Sequence, residues 1–255
     1  MEVTLPRATL WRVFWRSLFL QAAWNRRGMQ NLGFAYAIAP ALRRLYPERE
    51  RRRAALRRHL STFNCHPYTA AAIVGGAIHH EERVAAGEEP ESAPLEYKQV
   101  LQGPLAAVGD GFFWAGLRPF AGALAAVGVL AVGWPALLAV IVLYNAVQLW
   151  VRFSLFRVGY RYGDAVVDRL AALSLPAWGA RLRSAGTLVA GAGVTLLAAR
   201  SVGGAGRWAT AVAIAAALAG WWVLSRGRRL LPSAYGAMLL GTLLGAALGQ
   251  LGGGP

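Results

Sequence analysis

A short stretch in the middle of the chain places an acid and a base inside an apolar region. Residues 99–120 read QVLQGPLAAVGDGFFWAGLRPF, and Asp110 and Arg118 are their only charged members. Charges in such surroundings are costly unless they pair, face water or bind a polar ligand. The neighbouring glycines and prolines oppose one smooth helix. We therefore predict broken helix ends that bring polar groups together inside a membrane protein, with a structural ion pair in a bundle as the alternative.

The composition indicates the class of protein. Hydrophobic residues make up 56% of the 255 positions, with 30 glycines and a mean hydropathy of +0.39. These values predict an all-α integral membrane protein in a lipid bilayer. The formal charge is +15, and thirteen arginines fall within the first 58 residues. Positive segments retained on the cytoplasmic side explain this charge. A nucleic-acid binder rests on charge alone, so we predict no nucleic acid partner, and we predict no metal and no cofactor.

Residues 1–60 are predicted to form cytoplasmic amphipathic and basic helices. The segment LWRVFWRSLFLQAAW sets a narrow polar stripe against several large aromatic side chains, which is typical of a helix lying in the membrane interface. The segment ERERRRAALRRHL predicts a strongly charged helix. A solvated or lipid-facing surface is the simpler interpretation of this charge, and a docking face for a soluble partner is the alternative.

Residues 61–165 are predicted to form a core of broken helices and re-entrant hairpins. Asn64 and His66 precede Pro67, and the apolar run that follows ends at residue 78, too short to span a bilayer. We interpret this run as one arm of a re-entrant hairpin. The two polar side chains could donate to a ligand or merely cap the arm. His79 and His80 lack a third metal ligand at a useful spacing and are predicted to lie in a surface turn.

Residues 166–255 are predicted to contribute C-terminal transmembrane helices. Three apolar segments, 186–199, 208–224 and 233–251, are rich in small residues and should pack closely against neighbouring helices or subunits. The first has only fourteen residues, which is marginal for a span, whereas the other two are long enough.

Four sequence segments together resemble a known family. In chain order they are FLQAAWNRRGMQNLGFAYAIAPALRRLYP, RRHLSTFNCHPY, GPLAAVGDGFFWAGLRP and LYNAVQLWVRFSLFRVGYRYG. They are similar to the IID component of mannose-family sugar phosphotransferase systems, densely over residues 11–165. The resemblance departs from the family pattern at Cys65, Ala107 and Gly111.

The resemblance implies a transport role. A IID subunit pairs with a IIC subunit, as trimers of IIC–IID pairs, to form the path for a hexose or an amino sugar. IIB, charged by IIA, phosphorylates the sugar. The IID subunit is not known to carry phosphate, so His66 is not expected to be a phosphohistidine. The implied location is the bacterial inner membrane, multi-pass, with a cytoplasmic N-terminus. A non-transporting regulatory or scaffold subunit of the same fold is the alternative.

Seven residues form the predicted sugar site. A carboxylate can accept from two sugar hydroxyls, and an aromatic face can hold a pyranose ring. Asp110 is the predicted acceptor, Trp114 the ring platform and Arg118 the balancing charge. The remaining four are predicted to line the path or hold its walls: Gln30, Asn31, Asn64 and His66.

Overall fold

The protein is described by a computed structural model that covers residues 5–172 and 174–201. Within these ranges the chain is helical: α1 (Arg7–Ser17), α2 (Asn31–Leu45), α3 (Arg49–His59), α4 (Ala70–Ala86), α5 (Ala93–Gly109), α6 (Arg118–Val132), α7 (Trp134–Tyr162), α8 (Val166–Ala172) and α9 (Leu175–Ser201). A π-helix, Asp110–Leu117, joins α5 to α6, and a 3₁₀ turn, Gly163–Ala165, joins α7 to α8.

Two helical stretches are long and apolar enough to cross a membrane. They run over Ala93–Val132 and Trp134–Leu170, and each contains a window with a hydropathy of 1.7 that is largely exposed on the protein. Large apolar side chains along the first half of α7 face outward, including those of Ile141, Val142 and Leu143. Because a water-soluble protein would bury such a surface, these helices confirm the predicted all-α membrane fold.

The first three helices show the predicted amphipathic and basic pattern. Helix α1 packs on α2, burying Val13 and Phe14 while Trp11 and Trp15 remain exposed. Helix α3 buries Ala55 and His59 and presents most of its arginines to the surface, while Arg58 turns inward to Glu81. Their cytoplasmic side stays a prediction.

Helix α4 is the centre of the core and packs along α7. Glycines allow this packing, since a Cβ atom at Gly75 would overlap the backbone of α7 and one at Gly159 would overlap the backbone of α4. The helix continues past the predicted end of the apolar run, and it ends at Gly87, whose φ of 78° suits glycine. The surface turn predicted at His79 and His80 is therefore wrong. Both residues lie within α4, and His80 is buried.

The predicted break around Asp110 takes the form of a change in helix type. The chain stays helical through α5 and α6, and the eight residues from Asp110 to Leu117 adopt the wider π geometry. A π-helix keeps the chain helical with i→i+5 hydrogen bonds where the α-helical bonding pattern is interrupted. Such segments often occur at functional sites. The separate helix ends expected here are absent from the described chain between residues 93 and 132. The helical stretch that begins at α5 ends at Gly133, which has a φ of 85° and separates α6 from α7.

Helix α9 lies against the π-helix and α6. It has 27 residues, so the segment 186–199 belongs to a helix nearly twice as long as the sequence indicated. At its first turns Gly179 packs on the backbone of Gly111, and Arg183 donates to the Gly111 carbonyl at 3.3 Å. The other two predicted C-terminal segments, 208–224 and 233–251, lie outside the described residues.

Candidate functional site

An extended loop between α3 and α4 is fixed to the start of α2. The Gln30 side chain donates from Nε2 to the Cys65 carbonyl at 2.8 Å, and its Oε1 accepts from the Cys65 amide at 3.1 Å. The backbone N–H of Gln30 also donates to the Phe63 carbonyl at 2.8 Å. A buried extended segment cannot satisfy its own backbone groups, so the glutamine takes the place of a neighbouring strand. Gln30 therefore holds the loop that carries Asn64 and His66.

Asn31 anchors the beginning of the same loop. Its Nδ2 donates to the Leu60 carbonyl at 2.7 Å, and its Oδ1 accepts from Asn25 at 3.0 Å. The Asn64 side chain is exposed, while its backbone amide donates to Gln102 Oε1 at 3.1 Å. Of these two predicted site residues, Asn31 is engaged within the protein and Asn64 points to the surface.

His66 is buried among aromatic rings. It stacks on Phe113 with 5.2 Å between ring centroids and lies edge-on to Trp114 at 4.9 Å. The ring accepts from the Tyr68 amide at Nδ1, which places its proton on Nε2 when the ring is neutral. Burial, helped by the Arg152 guanidinium, lowers the pKa of His66 to about 4. Its Nε2 has no partner among the described residues, so His66 presents a donor without an acceptor.

Asp110, Trp114 and Arg118 follow one another along the π-helix and the start of α6. All three side chains are exposed. Asp110 and Arg118 form no ion pair in the described chain, which leaves the carboxylate and the guanidinium available to other partners. A Cβ atom at Gly109 would overlap the His66 ring, so the glycine lets the helix approach the loop at this point.

Trp114 and Arg118 line an open cleft of about 520 Å³ between α6 and α7. Aliphatic side chains supply much of its surface, including Leu137 and Ile141. Three polar groups, from Tyr68, Tyr144 and Asn145, also face it. The Tyr68 and Tyr144 hydroxyl groups lie 3.4 Å apart. An apolar wall with a few convergent polar groups is typical of a small-molecule site.

The cleft includes residues that the sequence reasoning missed. Tyr144 lines it directly, and Arg152 lies behind it with its guanidinium 4.4 Å from the centre of the Tyr68 ring. Arg152 is buried, and its Nε has no partner among the described residues. Tyr144, Gln148 and Arg152 recur every fourth residue along α7, after its apolar first turns. That spacing puts them on one face, and it is the signal that could have identified them.

The structure thus brings together some of the predicted residues. Trp114 and Arg118 both line the cleft. His66 does not line it, but its ring contacts the Trp114 ring edge-on. Asp110 and Asn64 do not line this cleft. Such a cleft can hold a ring against the indole face while hydroxyl and guanidinium groups bond to the edges of the ligand.

A second polar cluster lies at the opposite end of α4, and we call its members Tyr46, Arg58, His59 and Glu81 the Glu81 cluster. The Glu81 carboxylate is fully buried and accepts from His59 Nε2 at 2.7 Å, Arg58 Nε at 2.8 Å and the Tyr46 hydroxyl at 2.6 Å. These bonds lower the pKa of Glu81 to about 2 despite its burial, and burial lowers the pKa of His59. Every member is therefore bonded to the same carboxylate.

Comparison with known proteins extends these observations. The helices and the cleft define a helical membrane protein with an open cleft lined by apolar and polar side chains. The family described as "PTS system mannose/fructose/sorbose family IID component" matches residues 4–197. The chain belongs to this family and is a IID component of a sugar phosphotransferase system.

Individual relatives give the same result. The mannose-specific EIID component of Escherichia coli (strain K12) is 40% identical over 168 residues, covering 65% of this chain and 59% of the relative. The fructose permease IID component of Bacillus subtilis (strain 168) is 33% identical over 171 residues, covering 67% and 62%. The matches to these curated relatives thus span about 60% of their length.

A solved structure covers nearly the whole chain. It is the cryo-electron microscopy structure of the mannose transporter ManYZ in complex with microcin E492 (MceA). A chain of that structure is 30% identical, with a TM-score of 0.61, and the match covers 96% of this chain and 98% of that one.

Proposed function

We propose that this chain forms, together with a IIC subunit, the membrane path through which a hexose or an amino sugar enters the cell. Uptake is coupled to phosphorylation of the sugar by IIB, which receives its phosphate from IIA. The observation that carries this proposal is the cleft between α6 and α7. It lies between two helices long enough to span a bilayer, yet it is lined by a tryptophan, an arginine and two tyrosines. Polar side chains between membrane-spanning helices favour a polar ligand.

Each predicted site residue receives a role in this proposal. Trp114 supplies the apolar face for a pyranose ring, and Arg118 donates to hydroxyl oxygens from the next turn. Asp110 accepts from sugar hydroxyls where the path passes the start of the π-helix, and the exposed Asn64 donates to them from the loop. The unpartnered Nε2 of His66 supplies a donor once Trp114 moves aside.

Gln30 and Asn31 hold the wall of the path. Their amides are bonded to the loop backbone at 2.7–3.1 Å, so they position Asn64 and His66 and do not contact the sugar. The burial of His66 among aromatic rings supports a subunit that carries no phosphoryl group, with the transfer assigned to IIB.

The membrane arrangement is part of the proposal. The relatives named as mannose-specific and as a fructose permease support transport of a sugar of this size. The arginines of α2 and α3 favour a cytoplasmic location for the N-terminal helices in the inner membrane, because moving so much positive charge outward opposes the membrane potential. Trimers of IIC–IID pairs are the proposed assembly.

Uptake of radiolabelled sugar tests the proposal. The chain is expressed with its IIA, IIB and IIC components in cells that lack a mannose-family system, and both internal sugar and phosphorylated sugar are measured. We expect phosphorylated hexose to accumulate only when this chain and IIC are both present. Normal co-purification with IIC but no uptake of any hexose or amino sugar would contradict transport and would favour the scaffold role.

A further inference from the structure

A groove lies between α1 and the C-terminal end of α7, and it shares no lining residue with the cleft. Its volume is about 340 Å³, within the range of small-molecule pockets. The floor is aromatic and aliphatic, and Trp11 stacks on Phe153 with 5.1 Å between ring centroids. The remaining floor residues are Leu10, Phe14 and Phe156. An apolar ligand of modest width would fit this floor.

The rim of the groove is basic. Arg7 comes from the first turn of α1, and Arg157 and Arg161 come from successive turns of α7. All three side chains are exposed, and none forms an ion pair in the part of the chain that the structure describes. One carboxylate is close: Glu82 accepts from the hydroxyl of Tyr160, which also lines the groove, at 2.8 Å. Of the described residues that line the groove, three carry a guanidinium group and none carries a carboxylate, which favours an anionic ligand.

The groove lies where α7 should leave the hydrocarbon. A helix rises about 1.5 Å per residue, so a core of about 30 Å takes roughly 20 residues. Counted from Trp134, the apolar layer ends close to Phe153. The floor therefore reaches the edge of the hydrocarbon, and Arg157 and Arg161 stand at headgroup depth. The exposed Trp11 and Trp15 of α1 belong at the same level, where tryptophan is enriched.

We propose that this groove binds one anionic phospholipid from the leaflet on the arginine-rich side of the membrane. An acyl chain lies on the floor beside Trp11 and Phe153, and the phosphate bonds to Arg157, Arg161 and Arg7. The bound lipid joins the interfacial helix α1 to the spanning helix α7. A water-soluble anion would bind the basic rim but would make no contact with the apolar floor. A zwitterionic lipid would contact the floor, but the positive charge of its headgroup would weaken its attraction to the arginines of the rim.

Native mass spectrometry of the full-length chain, purified in detergent from cells that co-express its IIC partner, tests the proposal. The protein is titrated with phosphatidylglycerol and with phosphatidylcholine of identical acyl chains, with and without inorganic phosphate. The variant Arg157→Ala/Arg161→Ala removes two rim charges. Arg157→Lys/Arg161→Lys keeps the charge, and Arg43→Ala/Arg44→Ala removes two exposed charges from the last turn of α2, away from the groove.

We expect phosphatidylglycerol to bind about tenfold or more tightly than phosphatidylcholine, as two or three basic side chains near a membrane surface allow. The rim Ala variant should lose that preference, while the Lys variant and the α2 variant keep it. Equal affinity for the two lipids, an equal loss in the α2 variant, or displacement of the lipid by inorganic phosphate would each overturn the proposal. So would the absence of any bound lipid, which would mean that another occupant, such as the IIC chain, covers the groove.

Discussion

The Glu81 cluster and the cleft differ in how their polar groups are satisfied. In the cluster, one buried carboxylate accepts from Arg58, His59 and Tyr46, all within 3.0 Å. Around the cleft, Arg118 has no carboxylate partner in the described chain, and His66 Nε2 has no acceptor there. Both groups of side chains lie in mostly apolar surroundings. We infer from this difference that the cluster stabilises the fold and that the cleft is available to a partner or ligand from outside the chain.

Bonding state is therefore a better guide to function than burial alone. His59 and His66 are both buried, and burial lowers the pKa of each. His59 is held through Nε2 by the Glu81 carboxylate and leaves its Nδ1 acceptor unpartnered, whereas His66 has no carboxylate partner and leaves its Nε2 donor unpartnered. A ring bonded to a buried carboxylate is fixed in place, while a donor without an acceptor keeps its capacity to bond to a ligand. The predictions below test this difference.

The largest effect is expected for Glu81→Gln. The substitution keeps the shape of the side chain but leaves the Arg58 guanidinium without its buried counter-charge, and breaking a buried pair in this way costs about 3–5 kcal/mol. We expect little folded protein and a strongly lowered melting temperature in detergent. The matched control is Glu50→Gln, which removes a surface ion pair with Arg53. Surface pairs contribute about 0–1 kcal/mol, so this control should resemble wild type. Similar stabilities for the two variants would refute a structural role for the cluster.

A smaller loss of stability is expected for Gln30→Leu. The substitution removes the amide that bonds to both backbone groups of Cys65, and each buried group left without a partner costs about 1–3 kcal/mol. Gln102→Leu is the control, because Gln102 bonds to the same loop at the exposed Asn64. Thermal unfolding should rank Gln30→Leu well below Gln102→Leu. The reverse order would show that Gln30 does not hold the wall of the site.

On the cleft side, Trp114→Ala should impair transport more than stability. Removing the indole takes away the face on which the sugar ring rests, and we expect uptake to fall about tenfold or more, equivalent to about 1.4 kcal/mol. Trp134→Ala is the control, since Trp134 is 72% exposed at the start of α7 and lies outside the cleft. Co-purification with IIC should stay normal for both variants. If uptake is unchanged in Trp114→Ala, the cleft is not the sugar path.

Asp110→Asn examines the carboxylate alone. The amide keeps the size of the side chain but loses a charge-assisted hydrogen bond, so uptake should fall by about tenfold while assembly is normal. The control Asp168→Asn changes an equally exposed acid on α8. Failure of Asp110→Asn to assemble with IIC would indicate that Asp110 fixes the fold, which is the alternative role considered from the sequence.

Hydropathy and local pattern were enough to predict the class of fold, the amphipathic α1 and the proximity of Trp114 and Arg118, which line one cleft. They failed where distant residues decide the outcome. The sequence pattern predicts that the buried part of α4 ends before His79, because it cannot reveal that Arg58 and Tyr46 reach Glu81 and make its burial tolerable. The sequence also did not predict the π-helix. Glycine and proline indicate that regular α-helical geometry is weakened, but packing against neighbouring helices decides which geometry replaces it.

The smallest predicted effect concerns the pH dependence of stability. The unfolded chain protonates His66 near pH 6.5, whereas the folded protein holds it neutral down to about pH 4. The unfolded state therefore binds more protons in that window, and the free energy of unfolding decreases as the pH falls through it. His66→Phe removes this titration and keeps a ring beside Phe113. Between pH 7 and pH 6 the variant should lose less thermal stability than wild type, by about 1–3 °C. His59 and Glu81 favour the same direction in both proteins, so the difference isolates His66. If water in the path already reaches Nε2, the His66 pKa is close to its ordinary value and the two proteins should respond to acid alike.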